Sequence, residues 1–254
     1  MKKLLALLII TTVLMSIPLV AAANTKPSLS KIVFIHKKED FAKPPGTPGK
    51  GPPSDGEIDY YAFLGKGVEW KALPVNYVID PDNPDGLSVE FITTTIYSAA
   101  EEWDTHTGAE LFGTYSIVGD ASWDGDDGDV PDGRNEILFG NYTKNPDVIA
   151  VTVTWGYFRG PPQSREITEF DIMFDIDFTW GDAGDTSETE LGDMSVMDLQ
   201  NIATHEFGHG VGLADLYADE CSEQTMYGYA TYGETKKRTL NTGDIAGIQE
   251  LYGE

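Results

Sequence analysis

The segment from His205 to Asp215, which reads HEFGHGVGLAD, constrains the fold of this chain more than any other. Two histidines stand four positions apart in it, and residues at this spacing project from the same face of a helix. Both imidazoles can then reach one Zn2+ ion at about 2.0–2.1 Å. The segment therefore predicts a helix that carries His205 and His209 as two zinc ligands.

Three further residues complete this predicted metal site. Glu206 lies beside the ligand face, where its carboxylate can take a proton from a metal-bound water. Gly212 can end the helix in a left-handed conformation and turn the chain back, so that Asp215 becomes the third ligand. Three protein ligands leave the fourth position open for water, which is typical of a catalytic zinc site rather than a structural one.

The H-E-x-x-H-x-x-G-x-x-D pattern resembles that of the metzincin metallopeptidases, and most of residues 70–254 is similar to their matrixin branch. Residues 197–204 (MDLQNIAT) resemble the matrixin lead-in to the zinc helix. Residues 240–253 (LNTGDIAGIQELYG) are similar to the terminal matrixin helix. Residues 222–227 (SEQTMY) resemble the Met-turn of the family, which implies that Met226 lies beneath the metal without binding it.

The resemblance implies a fold and an activity. The expected fold is a mixed α/β (α+β) zincin, with a twisted mixed sheet, helices behind it and a smaller irregular C-terminal part across a cleft. The expected enzyme is a zinc metalloendopeptidase that hydrolyses proteins or extended peptides, with Glu206 as general base. Residues 148–155 would be the edge strand to which a substrate pairs, and residues 227–239 would wall the specificity pocket.

The sequence departs from the matrixin pattern at several positions. Asp215 stands where most matrixins have a third histidine, a variant that resembles snapalysin. No histidine lies between His106 and His205, so the second, structural zinc of vertebrate matrixins is expected to be absent. Residues 24–66 contain no cysteine, so latency through a cysteine cannot operate. His36 and His106 are expected to be solvated or packed side chains rather than ligands.

The N-terminal region predicts secretion. Two lysines precede an apolar run over residues 4–20, and small residues follow up to Ala23, which is the pattern of a signal peptide over residues 1–23. An uncleaved anchor is the alternative, but polar residues and a proline interrupt the short run. Residues 24–66 are rich in Pro and Gly and are interpreted as a pro-segment or linker, followed by a catalytic domain over residues 67–254.

The composition of the chain limits the classes of molecule that it is expected to bind. The chain of 254 residues has a formal net charge of −25, which disfavours nucleic acid and anionic membrane surfaces as partners once the signal is removed. Its 41% hydrophobic content is sufficient for one packed catalytic domain, expected to be a monomer. Cys221 is the only cysteine, so no intrachain disulfide can form, and a buried side chain is its simplest interpretation.

Hydrophobic periodicity predicts three helices and a set of strands. The predicted helices run from a Ser88 cap to about Gly108, over 195–210 and over 241–252, and the predicted strands cover 73–79, 136–139, 148–155 and 167–180. The last strand alternates apolar residues with residues such as Asp175 and Asp177, so it is expected to be buried on one face only.

An acidic loop extends from Asp124 to Glu136 and contains enough carboxylates to hold Ca2+. A solvated acidic loop is an equally good interpretation, so calcium binding stays open. Asp175 resembles a matrixin calcium position, but Phe178 replaces a carboxylate that is common in the family.

The sequence leaves two alternatives to a matrixin-like peptidase. A thermolysin-like zincin would take a downstream glutamate as third ligand, and Gly212 with Asp215 argues against it. A secreted calcium-dependent binding protein with a vestigial metal site is the alternative from another class. The intact Glu206 disfavours it, because a structural site needs no base.

Overall fold

A computed structural model describes residues 28–39, 59–184 and 193–254. The predicted signal peptide, residues 1–23, and the Pro/Gly-rich stretch at 43–53 lie outside the described residues, so both stay predictions. Among the described residues, no helix is long and apolar enough to cross a bilayer.

The described residues form a mixed α/β structure, as predicted. The strands are β1 (Ser30–Lys38), β2 (Val75–Ile79), β3 (Phe112–Ile117), β4 (Glu136–Gly140), β5 (Val148–Tyr157), β6 (Glu166–Asp175), β7 (Trp180–Gly181), β8 (Met197–Asp198) and β9 (Tyr229–Ala230). The helices are α1 (Val89–Asp104), α2 (Leu199–Gly210) and α3 (Thr242–Tyr252). The three helices and the strands β2, β4, β5 and β6 match predicted elements.

Seven strands form one mixed sheet in the order β3-β2-β4-β6-β5-β1-β9, while β7 and β8 pair separately. Strand β5 lies between β6 and β1 and is antiparallel to both. The prediction that residues 148–155 form an edge strand is therefore wrong for this structure, because β1 has added to that edge. Strands β1, β3 and β9 were not predicted from the sequence.

Helices α1 and α2 pack together against the sheet. Helix α1 begins after Ser88, whose side chain accepts a hydrogen bond from the backbone of Phe91. Its Trp103 is buried and donates from Nε1 to the carbonyl of Thr204 in α2 at 2.8 Å. Phe207 of α2 packs edge-on against aromatic rings of β3 and β6. These contacts fix which face of α2 remains directed at the functional site.

Strand β6 is buried on both faces, which corrects the prediction of a half-buried strand. Met173 and Asp175 are almost inaccessible, although they alternate with the core residues Ile172 and Phe174. A second, smaller apolar cluster, which includes Tyr142, covers this other face. The strand also ends earlier than predicted, since the chain turns after Asp175.

The folded unit extends upstream of residue 67, where the catalytic domain was predicted to start. Leu64 donates its backbone N–H to the carbonyl of Gly212 at 3.0 Å, and Ala214 donates to the carbonyl of Ala62 at 2.8 Å. Phe63 forms a bridge with Leu213 between them. This short segment therefore holds the turn that follows α2.

Candidate active site

Helix α2 carries the first two predicted zinc ligands. The helix begins after Asp198, whose side chain accepts a hydrogen bond from the backbone of Asn201 at 2.8 Å. This cap makes Leu199 the first helical residue, four residues after the predicted start at residue 195. Arg238 donates to the same carboxylate and holds it in place. On the resulting helix, the His205 and His209 rings lie on one face with centroids 4.9 Å apart.

The turn after α2 brings Asp215 back to the two histidines. Gly212 has φ +111°, a conformation that L residues rarely adopt, as predicted for the residue that ends the helix. Asp215 Oδ1 then lies 3.2 Å from His205 Nε2 and 3.5 Å from His209 Nε2. Two ligands of a tetrahedral zinc at its usual bond lengths lie about 3.4 Å apart. The spacing of these three atoms therefore fits one zinc ion.

Hydrogen bonds fix the form in which the ligands are presented. Nδ1 of His205 donates to the carbonyl of Thr225 at 2.7 Å, and Nδ1 of His209 donates to the carbonyl of Leu213 at 2.9 Å. Because a carbonyl only accepts, each neutral imidazole keeps its proton on Nδ1 and leaves the lone pair of Nε2 free. Both Nε2 atoms and Asp215 Oδ1 are buried without a hydrogen-bond partner. Such a set of unpaired atoms fits metal binding.

The ligand set is electrostatically suited to a cation. Burial acts to raise the pKa of Asp215, but the adjacent His209 and His205 hold it well below its usual range, so the carboxylate is an anion. Burial lowers the pKa of His205 to about 4, which keeps this imidazole neutral. The hydroxyl of Tyr217 donates to Asp215 Oδ2 at 2.9 Å and orients the carboxylate.

Glu206 lies beside the ligand face and is fully buried. Its Oε2 accepts a hydrogen bond from Thr152 Oγ1 at 2.6 Å, and its Oε1 accepts one from His36 Nδ1 at 3.3 Å. Burial raises the pKa of Glu206 to about 7, against the opposing effects of His209 and of the Thr152 hydrogen bond. A carboxyl with a pKa near neutrality is suited to accept and return a proton.

Met226 lies against the opposite side of α2. Its Sδ is so close to Gly208 that a Cβ on that glycine would overlap it. Asp244 accepts hydrogen bonds from the backbones of Thr225 and Met226 at 2.7 and 3.0 Å and holds this turn. The same turn presents the Thr225 carbonyl to His205. The structure thus packs Met226 against helix α2, and its place beneath the metal, which the resemblance to the Met-turn implies, stays a prediction.

Sequence reasoning missed three residues of this site. The sequence indicates Thr152 only as part of a substrate-pairing strand and assigns no role to Phe34. His36 was expected to be solvated or packed, and the structure buries it with its ring centroid 3.9 Å from that of His205. The alternation of β5 marks Thr152 as an inward polar residue, but no local signal in the sequence places Phe34 or His36.

A second group of carboxylates collects on the other face of the sheet, beside the middle of β6. Asp124 of the acidic loop meets Glu169 and Asp171 of β6, and each can offer one oxygen to a common centre. Burial raises the pKa of Asp171 to about 9 and that of Glu169 to about 7. Glu169 Oε1 is buried without a hydrogen-bond partner. Asp175, the other calcium candidate, instead accepts hydrogen bonds from backbone N–H groups.

Comparison with known proteins agrees with the class that the fold and the site define. Residues 155–253 match the family model described as Matrixin. The mixed sheet and the helices are consistent with the fold of that family, which confirms the predicted fold class.

Among the relatives, Metalloendoproteinase 2-MMP of Arabidopsis thaliana is 28% identical over 70% of this chain and 41% of its own length. Matrix metalloproteinase-18 of Xenopus laevis is 27% identical over 78% of this chain and 36% of its own length. Matrilysin of Felis catus is 36% identical over 33% of this chain and 28% of its own length. The chain thus spans less than half the length of these relatives. Their names and the family match support the predicted class of a zinc metalloendopeptidase.

Proposed function

We propose that this chain is a secreted zinc-dependent endopeptidase whose metal is held by His205, His209 and Asp215. The observation that carries the proposal is the convergence of two imidazole Nε2 atoms and one carboxylate oxygen, all buried and unpaired, at the spacing of zinc ligands. The matrixin match over residues 155–253 supports the same activity.

Glu206 is the proposed general base. Zinc, when bound, supplies a Lewis acid that polarises the scissile carbonyl and makes a bound water more acidic. Glu206 accepts the proton of the attacking water at its carboxylate and passes it to the leaving amine. Thr152 holds the carboxylate in one orientation through the 2.6 Å hydrogen bond to Oε2. The carbonyls of Thr225 and Leu213 hold the two imidazoles in the tautomer that leaves Nε2 available.

The proposed substrate is a protein or an extended peptide. Strand β5 runs beside the candidate metal site, β9 lies within the predicted pocket wall of residues 227–239, and in this structure β1 lies between them and pairs with both. A substrate peptide in that position would pair with both β5 and β9. Every second side chain of the peptide would then point toward α2 and contact the proposed zinc ligands. Main-chain pairing of this kind accepts many peptide sequences, so the predicted specificity pocket would determine which side chains are preferred.

We also propose that Asp124, Glu169 and Asp171 bind a calcium ion. Glu169 and Asp171 are buried and Asp124 is half-buried, so their carboxylates repel one another, and a divalent cation with oxygen ligands removes that cost. The orphaned Oε1 of Glu169 supports the proposal, because a buried acceptor without a donor is unusual. The ion would tie the acidic loop to the middle of β6.

Metal analysis of the purified secreted protein, together with casein cleavage, tests the proposed function. We expect about one zinc per chain, loss of activity with a chelator, and loss of activity in Glu206→Ala with zinc content retained. Wild-type activity in Glu206→Ala would refute the mechanism. Calcium binding with neither zinc nor cleavage would favour the binding protein. N-terminal sequencing of the secreted form tests signal removal, which should expose Asn24.

A further inference from the structure

We propose that a groove between α1 and the edge strand β3 binds an extended, basic segment of another protein. The backbone of that segment would pair with β3, and one of its lysine or arginine side chains would enter the groove. This surface, called the α1–β3 groove, lies at the opposite edge of the sheet from β5, β1 and β9, which lie beside the candidate metal site. The proposal therefore goes beyond the proposed function and does not depend on it.

The α1–β3 groove is a cavity of about 620 Å³. Its walls are the side of α1 that carries Tyr97, Glu101 and Asp104, the connecting residues 108–110 and residues 112–115 of β3. Ligand pockets usually have volumes of about 300–1,000 Å³, so the groove has room for a long side chain.

The charge of the groove favours a cationic ligand. Glu101, Asp104 and Glu110 line it, and no lysine, arginine or histidine of the described residues does so. Glu101 and Asp104 belong to the last turn of α1, which contains no basic residue. The C-terminal end of a helix carries a partial negative charge, and these carboxylates add to that charge rather than balance it. A bound ammonium or guanidinium group would reduce the repulsion.

Tyr77 directs an unsatisfied polar group toward the same groove. This residue is 2% exposed, and its hydroxyl has no hydrogen-bond partner within the described residues. Its ring stacks on that of Tyr115, with centroids 6.0 Å apart. Burial and then the charge of Glu101 raise the pKa of the hydroxyl, so the group stays neutral beside a residue that lines the groove. Buried hydroxyls normally have a partner, and the oxygen of Tyr77 can accept a hydrogen bond from a bound cation.

Tyrosine rings give the groove a surface that suits the same ligand. Tyr97 is 42% exposed, and its ring centroid lies 5.9 Å from that of Tyr115. The face of a tyrosine ring attracts a cation, and it also packs on the aliphatic stem of a lysine or arginine. Carboxylates beside tyrosine rings therefore fit these side chains better than a metal cation that takes oxygen ligands.

Strand β3 supplies the backbone to which a peptide can pair. It ends the seven-stranded sheet and, within the described residues, pairs only with β2. Its sequence, FGTYSI, contains neither a charged residue nor a proline, and Ile117 is 54% exposed. Edge strands are usually protected by charges or prolines, which β3 lacks. A strand added at this edge would place alternate side chains over the groove.

Charge complementarity decides which chain fits this edge. A second copy of this protein is disfavoured, because a chain with a net charge of −25 brings further negative charge to three carboxylates. A basic segment of another protein brings the opposite charge on an extended backbone, which satisfies the groove and the edge strand together.

The test measures binding of a dye-labelled peptide of alternating lysine and valine residues to the intact secreted chain by fluorescence anisotropy. Glu206→Ala is measured beside wild type, so that cleavage of the probe cannot decide the result, and the two should bind equally. We expect slower hydrogen exchange of the β3 amides in the complex. The same peptide with acetyl-lysine in place of lysine should bind at least about tenfold more weakly.

Tyr77→Phe is the most specific variant. It removes a hydroxyl that has no partner in the free protein, so the melting temperature should not fall, while the peptide should bind about tenfold more weakly. Glu101→Gln should weaken binding to a similar extent. Its matched control is Glu90→Gln, which removes an equal charge from the exposed first turn of α1 and should leave binding unchanged.

Four results would overturn the proposal. They are wild-type affinity in Tyr77→Phe or Glu101→Gln, protection of β5 or β9 instead of β3, binding of spermine as tightly as the peptide without protection of β3, and self-association of the free chain through β3 in sedimentation. If the peptide binds at β3 as expected but the chain cleaves no substrate, the groove proposal stands and only the proposed function fails.

Discussion

Thr152→Val tests whether a side chain from β5 tunes the proposed base. The substitution keeps the shape of a fully buried side chain and removes the 2.6 Å hydrogen bond to Glu206 Oε2. A hydrogen bond to a charged acceptor stabilises it by about 1.5–3 kcal/mol, and 1.36 kcal/mol corresponds to one pKa unit. Because the bond favours the carboxylate, its loss should raise the pKa of Glu206 by roughly one to two units.

The assay is the pH dependence of kcat/KM for a peptide substrate, measured on the active form with zinc content checked. Glu206 must be ionised to accept a proton, so the acid limb of the profile should move to higher pH by the same one to two units. The plateau above that limb should change little. Thr154→Val is the matched control, since Thr154 is equally buried on the same strand and donates only to the backbone carbonyl of His209 at 3.3 Å. An acid limb that stays at the wild-type position, or that shifts equally in the control, would refute the reasoning.

Three further predictions concern the metal ligands, the helix packing and the carboxylate cluster. Tyr217→Phe removes the 2.9 Å hydrogen bond to Asp215 and should weaken zinc binding about 10–100-fold in a chelator competition. The control Tyr61→Phe removes a hydrogen bond to Glu250 and should leave zinc binding unchanged. Gly208→Ala forces a Cβ into Met226 and should cost about 1–3 kcal/mol in thermal unfolding, and Gly119→Ala, which meets nothing within 4 Å, should be nearly neutral. Without calcium, the pKa values of Glu169 (about 7) and Asp171 (about 9) are raised in the folded state. Above about pH 4 the folded state therefore binds more protons than the unfolded state, so the free energy of unfolding should fall as the pH rises toward 9. Added Ca2+ should raise the melting temperature near pH 8, and an equal rise in Asp171→Asn would contradict the proposed site.

The geometry of the proposed metal site could be predicted from the sequence because it is local. His205 and His209 share a helix face whatever the rest of the fold does, since four residues make about one turn. Gly212 adopts the positive φ that the turn requires, and Asp215 follows within a few residues, so little tertiary information was needed to expect the three ligands together.

The exposure of β6 could not be read from its alternation. Met173, Asp175 and Asp177 indicated a solvent face, whereas the structure buries Met173 and Asp175. Period-two alternation reports the two faces of a strand, but whether a loop covers the polar face depends on how distant segments pack. The carboxylate cluster could not be predicted for the same reason, since Asp124 and Asp171 are 47 residues apart along the chain.

The sequence by itself determined the helix that carries the two proposed histidine ligands, their spacing and the turn that brings Asp215 back to them, because these depend on backbone geometry within one short segment. Only the tertiary structure decided what surrounds Glu206. Thr152 reaches it across 54 residues and His36 across 170, through the register of two strands that pair beside the helix. Strand pairing is a contact between remote segments, and a one-residue slip would turn both side chains away from the site.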